Sequence, residues 1–372
     1  MIEIERAEGV YLYDTDGKRY LDLIAGIGVS NVGHRHPRVL AAIREQLDKH
    51  LHLMVYGEYV QGPQVLLAQA LAQTLPAPLE SVYFTNSGTE AAEGAMKLAK
   101  RYTGRAEIIA CHGCYHGSTQ GALSLSDAEI FKQAYRPLLP GVRHIHYGSY
   151  RDLAEISSQT AAVFIETVQG EAGVRVACRE YFRALRQRCD ETGTLLVLDE
   201  IQAGFGRTGT FWAFEQFGIV PDVLLCAKGM GGGMPIGAFI ASREIMSVLT
   251  HNPILGHLTT FGGHPVSCAA ALATLQIIQD ENLLAGVAAK AQLFRDLLAG
   301  HPSVRQIRNQ GLMMAVEFES FEVLKLVIDR AIERGVITDW FLHCDNSMRI
   351  APPLTITEEE IREACEIILF SV

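Results

Sequence analysis

No apolar run in this 372-residue chain approaches the ~20 residues that a membrane-spanning helix needs. The first residues carry charges at Glu3, Glu5 and Arg6 and no apolar signal core, so a cytoplasmic location is expected. Basic excess is missing too. The net charge of −10 and pI near 5.7 argue against a nucleic-acid surface. The eight cysteines are scattered, which excludes a disulfide framework. Cys111 and Cys114 form a Cys-x-x-Cys pair near His112 and His116, but a zinc site needs a second pair, and Cys178 and Cys189 are too far apart to make one. Haem attachment fails because Tyr115 separates Cys114 from His116. Buried, reduced thiols and no metal are expected. Internal repeats and low-complexity segments are absent.

What remains is a globular composition, 48 % hydrophobic and 20 % charged, in a chain too long for one simple core. A hairpin over 9–23 turns at Asp16-Gly17, and Pro37 opens a helix running to about Leu51. A second helix covers 63–75 and a third 89–101. Strands are predicted over 82–85, 107–110, 162–166, 195–199, 223–227 and 237–242, with helices or long loops between most of them. After a small-residue helix over 267–279 the pattern changes: strand 313–318, helix 321–334, strand 348–351 and a last helix started by the capping pair Thr357 and Glu360. The fold class is therefore α/β: a large domain over 51–280 with a mostly parallel sheet flanked by helices, and a smaller α+β domain over 281–372 to which residues 1–50 contribute.

Within that frame one lysine stands out. Lys228 follows the apolar run Val223 to Ala227 and precedes Gly229, Gly231, Gly232, Gly233 and Gly237, which leaves an amine at the end of a buried strand with few side chains around it. Partial desolvation there helps the amine shed its proton and react with an aldehyde. The strand 195–199 ends in Asp199, Glu200, Ile201 and Gln202, at the edge where open α/β sheets bind ligands. Ser87, Gly88 and Thr89 precede a helix whose free N–H groups and hydroxyls suit an anion. A lysine for the aldehyde, an aspartate for the pyridine nitrogen and a helix end for the phosphate meet the requirements of pyridoxal 5′-phosphate (PLP).

These residues belong to a longer series: Ser87-Gly88-Thr89-Glu90, Tyr115-His116-Gly117, Glu166-Thr167-Val168-Gln169-Gly170-Glu171, Asp199-Glu200-Ile201-Gln202, Lys228-Gly229, Thr259-Thr260-Phe261-Gly262-Gly263 and Arg349-Ile350-Ala351-Pro352-Pro353-Leu354. In order and spacing the series resembles the class III aminotransferases of PLP fold type I, across almost the whole chain. The resemblance implies that Lys228 carries the cofactor and acts as general acid/base, and that Asp199 pairs with the pyridinium nitrogen. It further implies that Tyr115 and Ile201 flank the ring, that Gln202 approaches the ring's phenolic oxygen, and that Glu166 orients Gln202. Thr260 is similar to the threonine that reaches the phosphate of a neighbouring subunit, which implies a homodimer with shared sites. His264 stands where the family usually has Asn, and Thr167 where Pro is commoner.

On the substrate side the resemblance places Thr259, Glu171 and Arg349. Arg349 and Glu171 match the family's switchable pair, in which Arg binds the carboxylate of 2-oxoglutarate and Glu holds it otherwise. Ornithine and acetylornithine members usually carry an arginine after the His-Gly of the Tyr115 motif, and here that residue is Ser118. The segments 121–124 and Pro137-Leu138-Leu139-Pro140-Gly141 also resemble putrescine aminotransferases. The expected reaction moves a terminal amino group from ornithine, acetylornithine or putrescine to 2-oxoglutarate. Alternatives are another fold type I PLP enzyme such as an aminomutase, or an NAD-binding dehydrogenase using the glycines after Lys228.

Overall fold

The computed structural model describes residues 2–372. Its largest sheet has seven strands in the spatial order Ser81–Thr85, Gly237–Ala241, Val223–Cys226, Leu195–Asp199, Thr160–Glu166, Glu107–Cys111 and Val142–Ile145. Gly237–Ala241 runs antiparallel to both neighbours and every other pair is parallel. Four adjacent strands, from Gly237–Ala241 through Thr160–Glu166, are buried along their whole length. Burial on both faces removes the in-out alternation, which is why they read as continuous apolar runs.

The expected elements on this sheet recur with ends shifted by a residue or two. Val142–Ile145 is an addition that the sequence reading does not contain. As an edge strand it keeps Arg143 exposed, so it carries no apolar run. The helix Arg179–Thr192 is likewise unassigned by sequence. It crosses between the parallel strands Thr160–Glu166 and Leu195–Asp199, a connection that demands such a crossover. Tyr181, Phe182, Leu185 and Cys189 form its buried stripe. Cys111 and Cys114 are buried free thiols.

A second core joins the two ends of the chain. Val10, Leu21 and Leu23 pack with Val287, Phe294, Leu324, Val336, Ile350 and Ile361. The hairpin Tyr11–Asp14 and Arg19–Asp22 turns through Gly17 at φ +81°, and Val336–Ile337 adds to it in parallel. A four-stranded sheet beside it has the order Gln306–Gln310, Met313–Glu317, Cys344–Ile350 and Trp340–Phe341. The last helix, Glu358–Ser371, starts with the expected box: Thr357 N donates to Glu360 Oε2 at 2.8 Å and Glu360 N to Thr357 Oγ1 at 3.2 Å. Among the described residues no helix is long and apolar enough to cross a membrane.

Candidate active site

The carboxyl ends of adjacent strands set Asp199 beside Glu166. Asp199 Oδ1 accepts from Ile201 N at 2.9 Å, and Oδ2 lies 2.7 Å from His116 Nδ1 in a fully buried contact. In sequence His116 stands within the Tyr-His-Gly motif and near the Cys-x-x-Cys pair, and neither pattern signals its pairing with Asp199. Burial alone would lower the pKa of His116, but Cys114 and the Asp199 carboxylate outweigh it and raise it well above the ordinary value. Glu166 accepts from Gly170 N at 3.1 Å and Tyr115 N at 3.4 Å. Burial pushes its carboxyl up to about 8, with neighbouring Asp199 adding and His116 opposing. Glu200, one residue further, points to the other side of the chain and accepts from Ala213 N, Phe214 N and the Thr167 hydroxyl, so it anchors a loop away from the cavity.

Lys228 opens a tight turn, Lys228–Gly231, with φ at +43°. A left-handed backbone at a non-glycine residue stores strain and fixes where the side chain leaves the strand. Its Nζ has no hydrogen-bond partner among the described residues. Burial lowers its pKa, opposed by Glu171, reinforced by Arg349, and opposed again by Asp199 and Glu166. The glycines after it lead through a single 3-10 turn into the antiparallel strand Gly237–Ala241 and open no α-helix. The dinucleotide alternative therefore fails for want of a helix end to face a pyrophosphate.

At the opposite end Ser87 caps the helix Gly88–Thr103, its hydroxyl accepting from Glu90 N at 3.4 Å. A side chain at Gly88 would stand 2.7 Å from Ile201 Cδ1, and one at Gly117 (φ +132°) 2.2 Å from Thr89 Oγ1. Both glycines permit these close approaches on the wall of a cavity. Thr89 Oγ1 lies 2.7 Å from Thr119 Oγ1, and Glu93 accepts from the Thr119 hydroxyl, Gly121 N and Ala122 N. The helix thus locks the loop that bears Ser118.

Between these ends is a cavity of about 670 Å³ lined by Ser87, Gly88, Thr89, Tyr115, Asp199 and Lys228, with Glu166, Ile201 and Gln202 also on its wall. A second cavity of about 670 Å³ continues outward past Lys228, Ser118 and Glu171 to Arg349. Arg349 donates to Glu171 through two parallel bonds of 2.9 and 3.0 Å, and through Nε to Asp339 Oδ1 at 2.8 Å. The Phe341 ring lies 4.4 Å from its guanidinium. Burial opposes ionisation of Glu171, yet the Arg349 fork holds its carboxyl down at about 2. Gln202 Nε2 donates to Glu171 Oε1 at 3.2 Å and not to Glu166, which corrects the expected orienting partner. Asp339 has no sequence signal, since an acid ten residues before Arg349 carries no motif.

Thr259 and Thr260 stand outside both cavities of their own chain. Thr259 Oγ1 accepts from Asn86 Nδ2 at 2.9 Å, and the exposed Thr260 lies 3.5 Å from the Tyr56 hydroxyl.

The chain matches the family described as aminotransferase class-III over residues 1–370. It belongs to the class III aminotransferases. A putrescine aminotransferase of Pectobacterium atrosepticum is 41 % identical, over 94 % of this chain and 77 % of that protein. An acetylornithine aminotransferase of Methanopyrus kandleri is also 41 % identical, over 96 % of this chain and 90 % of that one. Among solved structures, the ornithine aminotransferase of Toxoplasma gondii, with PLP partly occupying its active site, superimposes with a TM-score of 0.93 at 31 % identity, covering 100 % of this chain and 89 % of that one. Class III aminotransferases depend on PLP, and the cavity fits it: a glycine-lined helix end for phosphate, a buried carboxylate, and an unpartnered amine between.

Proposed function

We propose that this chain moves a terminal amino group from an amine or amino-acid donor such as ornithine, acetylornithine or putrescine to 2-oxoglutarate, leaving an aldehyde and glutamate, as a cytoplasmic homodimer with shared active sites. The observation that carries the reading is the guanidinium of Arg349, held by the displaceable Glu171 fork in the same cavity system as the Lys228 amine. A fork of two N–H groups matches a carboxylate, so a dicarboxylic keto acid can take the place of Glu171. Gln202 gives the displaced Glu171 carboxylate a remaining partner.

In this reading Ser87, Gly88 and Thr89 hold the phosphate of PLP, with Thr260 of the second subunit; Asp199 holds the proton on the ring nitrogen, supported by His116; and Tyr115 and Ile201 enclose the ring. When bound, PLP supplies a ring that draws electron density from the substrate carbon. Lys228 Nζ accepts the proton from the donor's amine-bearing carbon and returns it later, a task suited to an amine whose pKa burial has lowered. Ser118 lies at the mouth with its Oγ 3.1 Å from the Tyr115 hydroxyl and offers no charge to a donor carboxylate. The donor is then recognised by length and terminal amine.

The test is glutamate formation from 2-oxoglutarate with ornithine, acetylornithine, putrescine, lysine and GABA as donors. Ornithine is expected to hold only a modest advantage over putrescine, and Lys228→Ala to abolish turnover. Strong selection for acetylornithine with no turnover of diamines would show that another residue anchors the donor carboxylate and would end the argument from Ser118.

A further inference from the structure

Arg349 touches two carboxylates and can neutralise one. Glu171 takes the two-nitrogen fork, and Asp339 takes Nε on a different edge of the guanidinium. Asp339 is 30 % exposed and lines the outer cavity, and its Oδ2 accepts no hydrogen bond among the described residues. Among the described residues Lys228 is the only other lysine or arginine on that cavity, which His343 also lines. Its remaining wall is rich in aromatic rings, among them Phe131, Tyr135 and Trp340. A carboxylate with one oxygen unpartnered among aromatic faces suits an ammonium ion, which gains both an ion pair and cation–π contact.

Resting on the terminal-amine reading above, we propose that Asp339 selects the donor, its carboxylate recognising the distal ammonium of a diamine whose other amine reaches Lys228. Burial raises the pKa of Asp339 even though a guanidinium touches it, with Glu171 adding to the rise, so a further cation beside it would favour its charged form. A cationic donor supplies that charge and a partner for Oδ2.

Asp339→Asn separates charge from position, because the amide oxygen can still accept from Arg349 Nε. The measurement is kcat/KM of the holoenzyme for 1,4-diaminobutane and for butylamine, with KM for 2-oxoglutarate followed in parallel. The parent should favour the diamine. Losing one charge-assisted contact should cut that preference by roughly 10- to 100-fold. Butylamine and 2-oxoglutarate should change little. An equal loss for both amines, or a rise in KM for 2-oxoglutarate alone, would mean that Asp339 merely positions Arg349, and would overturn the proposal. If neither amine reacts while a donor bearing a carboxylate does, recognition of the donor by length and terminal amine alone fails, and calorimetric binding of the same two amines to holoenzyme decides the role of Asp339. Tighter diamine binding lost in the variant supports it; equal affinity in the parent overturns it.

Discussion

Arg349 and Glu171 meet with only 4 % and 10 % of their side chains exposed, so their bond is screened little by water. Breaking one partner of such a pair leaves the other charge buried and uncompensated. The linkage has a definite sign. Glu171 ionises near 2 in the folded chain against an ordinary 4.5, so its contribution is complete above about pH 4.5 and is lost as the pH falls toward 2. In urea unfolding of Glu171→Gln beside the parent, the stability gap should narrow across that window by an amount on the order of 3 kcal/mol. A gap that stays constant from pH 6 to pH 3 would show that the Arg349 fork does not set the ionisation of Glu171. The same substitution should leave Arg349 freer to accept 2-oxoglutarate.

Among the elements, the antiparallel strand Gly237–Ala241 braces the turn at Ser87 to Thr89 proposed to hold the phosphate. Gly237 pairs with Thr85, and a side chain there would stand 2.3 Å from the Ser87 carbonyl oxygen. Backbone must move to admit it, and Thr85 Oγ1, which donates to that same oxygen at 2.9 Å, must move as well. Gly237→Ala should therefore cost about 1–3 kcal/mol in stability and also weaken retention of PLP on dialysis. Gly300→Ala, where an added side chain meets nothing within 4 Å, is the control and should do neither. Full PLP retention by Gly237→Ala would mean that the turn at Ser87 to Thr89 yields freely. Elements of this sheet are legible in sequence where burial writes an apolar run, as in Leu195–Asp199. They are hidden where exposure interrupts it, as in Val142–Ile145 with its Arg143.

For the whole molecule, the surface around Thr260 matters most. Leu258 and Phe261 flank it, and Met54, Tyr59, Val60 and Ile254 are exposed nearby in sequence to it or to its neighbour Tyr56. The ring of His52 lies 4.8 Å from that of Phe261, tying the two segments together. A lone soluble domain seldom leaves so much apolar surface uncovered, which supports a second subunit on this face. If Thr260 completes the partner's site, mixing inactive Lys228→Ala and Thr260→Ala chains after exchange should restore on the order of a quarter of the sites. Activity from a monomer at assay concentration, seen by sedimentation, would rule out shared sites.

By itself the sequence determined what is local. A lysine after a buried run, an aspartate ending the strand upstream, a Ser-Gly-Thr turn into a helix and the capping pair of Thr357 with Glu360 all depend on neighbours a few residues away, and all are where the sequence puts them. Tertiary structure alone decided the long-range partners: His116 on Asp199, Gln202 on Glu171 in place of Glu166, Asp339 on Arg349, and Thr259 and Thr260 outside their own cavity. Hydrogen bonds and ion pairs reach only about 3 Å, so each of these pairings hangs on strand register and on how two separate cores meet. No pattern along the chain records that distance.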